Sequence, residues 1–406
     1  MTSPEAKGKE RIQVGLVFST SGPYRAISQE MQNGAMLALS EINADPSFDF
    51  AIEPVIQDPG GELSSYSAIC KKLLRDKQLK HVVGLYTSSS RKEVIPVFEK
   101  YDGLLWYPSH YEGFEHCNNV IYTGAAPNQH IVPLISHMLR HFGNHAYCVG
   151  SNYIWGWESN RIIRECVMAH PDPTFLERYV PVGSVDVREI VKEIVATRPS
   201  YVFSSLIGVS SKSFMRAMHA ARLEHPDMTC EALPVCSHTL SEPELAKFTA
   251  DEAAGHIASS VYFQSKPGLR NDAFISGYKE RYGASSVTSA DAEAAYNTCH
   301  LLALSLYKAR TQNLDAVKAA LYGIRFDAPQ GPIRIDPENN HCFMTPLLGV
   351  SNREGQFEIS HAARRPARPD PYLVDFDVAS LSSDQYLDLF MPKLYSSYRV
   401  GQRVIQ

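Results

Sequence analysis

Alternation of short apolar strands with amphipathic helices, sustained over most of 406 residues, most restricts the folds open to this chain. Ile12–Phe18 reads as a strand and Ala26–Ala44 as a helix, with Met31, Ala35, Leu37, Ala38, Leu39 and Ile42 recurring near the helical period. Strand Ala51–Ile56 ends in a turn cluster, Gln57-Asp58-Pro59-Gly60-Gly61. Helix Leu63–Arg75, strand Val82–Leu85, helix Arg91–Tyr101 and strand Leu104–Tyr107 continue the series. A second series follows Ala126-Pro127-Asn128. It comprises helix Ile131–Phe142, strand Ala146–Gly150, helix Glu158–Ala169, strand Phe175–Val180, helix Val187–Ala196, strand Tyr201–Leu206, helix Ser211–Arg222 and strand Ala232–Val235. Two late helices, Asp272–Tyr282 and Ala290–Arg310, close the pattern. Such alternation predicts parallel strands with crossover helices.

A chain of 406 residues exceeds what one hydrophobic core usually fills, so two lobes are expected. The return helices predict lobes built from discontinuous segments, with crossings near Ala125–Asn128, Ala254–Ser259 and Gln330–Ile335. Residues 12–125 plus 256–332 then form a first lobe and 126–255 plus 333–375 a second, with 376–406 as a tail. A cleft between hinged lobes is a favoured ligand site.

Two segments bring hydroxyls and rings to strand ends, where open α/β sheets bind ligands. They are Gly84-Leu85-Tyr86-Thr87-Ser88-Ser89-Ser90-Arg91-Lys92 and Tyr107-Pro108-Ser109-His110-Tyr111-Glu112-Gly113-Phe114-Glu115. Ser88–Ser90 suit either helix capping or a ligand carbonyl at the first turn. Trp106, Trp155 and Trp157 also lie beside strand ends, and Tyr153-Ile154-Trp155-Gly156-Trp157 is placed to wall a cleft. The nearest charges, Arg91, Lys92, Glu112 and Glu158, stand where helices begin and are expected to face solvent. Asn152 occupies a place where an acid would have met an ammonium, so a neutral ligand is expected.

Catalytic patterns are weak. Ser89-x-x-Lys92 lacks the companion Ser-Asp-Asn and Lys-Thr-Gly strings of serine acyltransferases. His219, His225, Cys230, Cys236 and His238 match no zinc spacing. No catalysis, cofactor or metal is expected. A net charge of −5 gives no basic footprint for nucleic acid. The eight cysteines are scattered as reduced thiols would be, and Met1–Arg11 carries no secretory leader pattern. These features lead us to expect a cytoplasmic protein, or a periplasmic one if a leader is missing from this chain.

Several motifs in order carry a resemblance: Gln57-Asp58-Pro59-Gly60-Gly61, Tyr107-Pro108 with Tyr111-Glu112-Gly113-Phe114-Glu115, Ala126-Pro127-Asn128-Gln129, Asp327-Ala328-Pro329-Gln330-Gly331-Pro332 and Arg368-Pro369-Asp370-Pro371-Tyr372. Over roughly residues 12 to 375 the chain resembles the cytoplasmic amide sensors that regulate aliphatic amidase expression. These sensors belong with the type I periplasmic binding proteins, close to urea and short-chain amide receptors of ABC transporters. The resemblance implies a two-lobed α/β fold, each lobe a mainly parallel sheet flanked by helices, with a small amide in the cleft. It implies a non-catalytic sensor whose unliganded form restrains an RNA-binding antiterminator. The alternative it implies is a transporter's solute receptor, partnered by an ABC permease; in either case the chain could form a homo-oligomer. By position, Tyr86, Ser88, Tyr107, Ser109, Tyr153 and Trp155 would contact the ligand, with His110 added. Ser109 replaces a threonine and His110 a proline, while Trp155-Gly156 replaces the family's Tyr-Pro. The wider indole and added imidazole suit a larger or more polar ligand than acetamide.

Overall fold

The computed structural model describes residues 9–376 and 378; the expected tail of 376–406 otherwise lies outside the described residues. The first half is built on a five-stranded parallel sheet of order β2-β1-β3-β4-β5. Its strands are β1 (Glu10–Val17), β2 (Phe50–Gln57), β3 (His81–Gly84), β4 (Leu104–Tyr107) and β5 (Val120–Tyr122). Helices α1 (Arg25–Ala44), α2 (Leu63–Lys71) and α3 (Ser88–Lys100) connect them. Because both faces are covered, β1 is apolar in both directions: Val14 and Leu16 face one core and Val17 the other.

The second half carries a seven-stranded sheet of order β15-β14-β10-β9-β8-β6-β7. It contains α4 (Pro127–Phe142), β6 (His145–Ser151), α5 (Ile154–Met168), β7 (Thr174–Val180), α6 (Arg188–Thr197), β8 (Tyr201–Ser205) and α7 (Gly208–Glu224). Then come β9 (Val235–Ser237), α8 (Glu242–Leu245), α9 (Ala250–Ala253) and β10 (Ile257–Ser260). The chain next adds α10 (Leu269–Tyr282), α11 (Ala290–Ala309) and α12 (Leu314–Tyr322) to the first half. A small antiparallel sheet follows, made of β11 (Phe326–Ala328), β12 (Gly331–Ile335) and β13 (Cys342–Phe343). Finally β14 (Leu347–Ser351) and β15 (Phe357–Ala362) pair antiparallel on the edge of the second sheet.

Two expected boundaries move. Ile257–Ser260 was assigned to the first lobe, but it pairs with β9 and β14 in the second sheet. Residues 333–344 were assigned to the second lobe, but Ile333, Ile335, Cys342 and Met344 join the first half's core. The crossings therefore fall between β10 and α10 and between β13 and β14. Strands this short carry no periodicity of their own, and their partners decide their side.

The return helix α11 fixes the first half's geometry. Ala295, Cys299, Leu302 and Leu306 of α11 share a core with Met31, Ala35, Ala38 and Ile42 of α1. Gly34 lets the helices meet, since a Cβ there would fall 1.9 Å from the Ala292 carbonyl oxygen. That contact sets the position of the first turn of α11.

Candidate functional site

The carboxyl ends of the two sheets face one another, and every candidate residue leaves a strand end or a first helical turn there. After β3 the backbone turns sharply: Leu85 adopts φ 68°, and its N–H donates to the Val17 carbonyl at 2.8 Å. A leucine in this left-handed region costs on the order of 1–2 kcal/mol, offset by the contacts that the turn secures. Tyr86 follows, its ring 5.9 Å from that of Tyr24. Thr87 caps α3, its hydroxyl accepting from the Ser90 N–H at 3.1 Å, so the cap falls one residue before the serines expected to provide it.

Tyr107 does not open onto a cavity. Its hydroxyl donates to the Tyr86 carbonyl at 2.7 Å, and its ring is fully buried in the core opposite the one holding the Tyr86 ring. Ser109 is buried and hydrogen-bonded to the Tyr107 side chain. The Ser88 hydroxyl donates to Glu112. Glu112 in turn lies 3.4 Å from Arg91, whose Nε reaches Glu115 at 2.6 Å. The expected solvent-facing charges are thus partly wrong: Arg91 and Glu112 form a buried ionic cluster, with Arg91 over the rings of Tyr107 and Tyr111. Burial alone would raise the Glu115 carboxyl, but the charge of Arg91 and hydrogen bonds from Arg91 and Lys92 hold it down at about 2.

Across the seam, Tyr153 precedes α5 and Trp155 lies in its first turn, earlier than the expected helix start at Glu158. The phenols of Tyr86 and Tyr153 lie close enough that, after burial, each neighbour adds to the resistance of the Tyr86 hydroxyl to ionise. Trp155 packs edge-on against His110 at 5.1 Å and beside His130 and His238 at 5.9 and 4.7 Å. The other indoles do not wall the cleft. Trp106 is fully buried and donates to His81 at 3.3 Å, while Trp157 is half-exposed and donates to Asn152 at 2.9 Å.

Between the halves is a cavity of about 40 Å³, room for about three water molecules. From the first half it is lined by Pro108, His110 and Asp291, and from the second by His130, His238, Glu242 and Ser259. Of the residues expected at the site, His110 lines this space and Trp155 backs it. Tyr86 and Tyr153 lie near one another across the seam, Ser88, Tyr107 and Ser109 are buried, and none of the five lines this cavity. Of His219, His225, Cys230, Cys236 and His238, only His238 lines it.

The lining is short of partners. Asp291 Oδ1, both ring nitrogens of His238, His130 Nδ1, Ser259 Oγ and Trp155 Nε1 are buried without a protein hydrogen bond. His110 Nδ1 approaches Asp291 Oδ1 only to 3.7 Å. A buried polar atom left unpaired costs about 1–3 kcal/mol, so a group of them around one cavity marks a place built to take hydrogen bonds from something else. Burial pushes the Asp291 carboxyl up, countered by His110, and pushes Glu242 up to about 7. Burial likewise lowers the imidazoles of His110, His130 and His238, so they stay neutral near neutral pH. His130, Asp291 and Glu242 escaped the sequence reading because each looks like an ordinary residue of a first helical turn.

A family profile described as "Periplasmic binding protein domain" matches residues 12–377. Among curated proteins, the chain is 29% identical over 133 residues to limonene hydroxylase of Geobacillus stearothermophilus, covering 33% of this chain and 24% of that one. The chain thus spans about a quarter of that relative's length. It is 20% identical to Leu/Ile/Val-binding protein homolog 6 of Brucella melitensis, over 81% of this chain and 85% of the other. Among solved structures, an ABC-transporter solute binding protein from Rhodopseudomonas palustris BisB5, in complex with 3,4-dihydroxybenzoic acid, superposes with a TM-score of 0.78. Its identity is 15%, with 88% of this chain and 98% of that one covered. The branched-chain amino acid transporter substrate binding protein of Streptococcus pneumoniae, in complex with isoleucine, gives a TM-score of 0.74 at 18% identity, covering 89% and 100%.

Proposed function

Because the chain belongs to the periplasmic binding protein domain family and has its two-lobed α/β fold, we propose that it is the solute receptor of an ABC transporter, working in the periplasm. It binds without chemical conversion and delivers its solute to a membrane permease. Among the described residues no helix is long and apolar enough to cross a membrane. The observation that carries this reading is the seam cavity, whose lining atoms from both halves are polar, buried and unpaired. A solute seated there bonds both lobes at once and so binds the closed form preferentially, which a receptor needs in order to report occupancy.

The cavity supports a compact guest. Its buried, unpaired polar lining on both sides supports a small hydrogen-bonding guest of about four heavy atoms, such as an amide or urea. At a ceiling of about 1.5 kcal/mol per atom such a guest gains roughly 6 kcal/mol, a dissociation constant in the tens of micromolar. The ligand contacts we assign are His110, His130, His238, Ser259 and Asp291, with Trp155 behind them and Tyr86, Ser88 and Tyr153 at the rim. Tyr107 and Ser109 support that rim.

The second reading, a cytoplasmic amide sensor restraining an antiterminator, is favoured by the ordered motifs around Tyr111–Glu115 and Arg368–Tyr372. The relatives bound to transport put it behind the receptor. Cell fractionation separates the two: recovery from the periplasm supports the receptor, and cytoplasmic recovery with an RNA-binding protein attached overturns it.

A further inference from the structure

The charge balance of the cavity narrows the guest further. Among its described lining residues are two carboxyl groups, Asp291 and Glu242, and no lysine or arginine. Asp291 is 7% exposed and its Oδ1 has no hydrogen-bond partner. It sits in the first turn of α11, where the Ala292 N–H is capped by the Ser289 hydroxyl at 3.2 Å. A carboxylate-bearing guest would meet acids without a counter-charge.

The acids also come from opposite sides of the seam. Asp291 and Glu30 belong to the first half, and Glu242 and Glu244 to the second. Beyond the burial that dominates, Asp291 and Glu244 both disfavour ionisation of Glu30, while Lys247 favours it. Asp291 likewise disfavours ionisation of Glu244, again against Lys247, and His110 is the basic group beside Asp291. Closing the lobes thus crowds carboxyl groups together, and a positive guest between them would offset that cost. Building on the receptor reading above, we propose that the solute is a small cation of amide shape, an amidinium or guanidinium, whose N–H groups dock on Asp291 and whose remaining edge meets His238 and Ser259. A planar N–H fork matches a carboxylate in two parallel bonds. The uncharged His130 and His238 rings are acceptors or donors that a cation does not repel.

Isosteric pairs test this without any mutation. Acetamidinium chloride against acetamide, and guanidinium chloride against urea, differ in charge and hardly in size. Calorimetric titration at neutral pH is expected to give the cation of each pair an affinity higher by about tenfold or more. In Asp291→Asn the preference should collapse, with melting temperature checked to confirm folding. Asp291→Ser serves as the second variant if the amide does not fold. Neutral members binding as tightly as the cations would overturn the cationic assignment and leave the receptor reading intact. A cation preference unchanged in a folded Asp291 variant would remove Asp291 as its seat. No binding by any of the four compounds would overturn the assignment and, with it, the compact guest of the receptor reading.

Discussion

The Tyr107 hydroxyl donates a 2.7 Å hydrogen bond to the carbonyl oxygen of Tyr86, tying the end of β4 to the turn that follows β3. The two rings lie in separate cores, so this bond, and not a shared pocket, is what links the tyrosines. It places Tyr86 at the seam while Tyr107 stays out of reach of solute. Tyr107→Phe should therefore cost about 1–2 kcal/mol through the unpaired carbonyl, read as a lower thermal midpoint, and weaken solute binding only modestly. Loss of binding with no loss of stability would place Tyr107 in contact with the ligand instead.

The buried ionic cluster gives a sharp contrast between neighbours. Arg91 is fully buried against Glu112 and Glu115, whereas Lys92 is 36% exposed. Arg91→Met should destabilise by about 3–5 kcal/mol, because two carboxylates lose their buried counter-charge. Lys92→Ala should cost less than about 1 kcal/mol. Thermal unfolding of both variants checks the ordering; similar losses would contradict it.

Gly34→Ala should disturb two properties at once. The added Cβ meets the Ala292 carbonyl, so α11 must shift or the helices part. Asp291 is the preceding residue, and its displacement should lower solute affinity along with the melting temperature. Stability lost with affinity kept would separate the helix crossing from the site.

Stability should depend on pH with a sign fixed by the buried acids. Folding raises Glu242 and Glu244 from the ordinary carboxyl range to about 7, so the folded state holds extra protons between about 4.5 and 7. Their contribution is complete below that range and disappears as pH rises through about 7. The imidazoles, lowered by burial, act in the other direction, and their penalty appears only below about 6.5. From pH 6.5 to 8 the closed form should therefore lose stability, by about 1 kcal/mol for each such carboxyl. Glu242→Gln should flatten the fall. A midpoint that rises over this interval would contradict the placement of these acids.

Trp155 provides the optical readout. It is buried among His110, His130 and His238, while Trp106 lies in the core and Trp157 at the surface. A seam-bound solute should change indole emission, and Trp155→Phe should abolish that change. A response that survives this substitution would locate it elsewhere.

The fold was largely legible because α/β alternation depends on local periodicity. Helix α1 begins within a residue of expectation, since its apolar stripe announces both ends. Strands β10 to β15 were not legible to the same degree: they are short, and pairing with remote strands settles their sheet. At the site, the strand-end rule pointed to His110, which lines the cavity, and to Trp155, which packs against it. It misjudged Arg91 and Glu112, because sequence cannot show that a helix-start arginine turns inward over two tyrosines. Asp291 was invisible for a related reason. An acid in a first turn is favoured there by the helix dipole, and only the approach of His238–Glu242 and of β10 from the other half makes it a wall of the cavity.

A compact solute is expected to hold the two halves together. Small-angle X-ray scattering, with and without millimolar acetamidinium, guanidinium, acetamide or urea, measures it directly. The radius of gyration should contract with at least one of them, and a variant with His238→Ala and Asp291→Asn should not respond. A wild-type protein whose scattering is the same with all four would contradict the account.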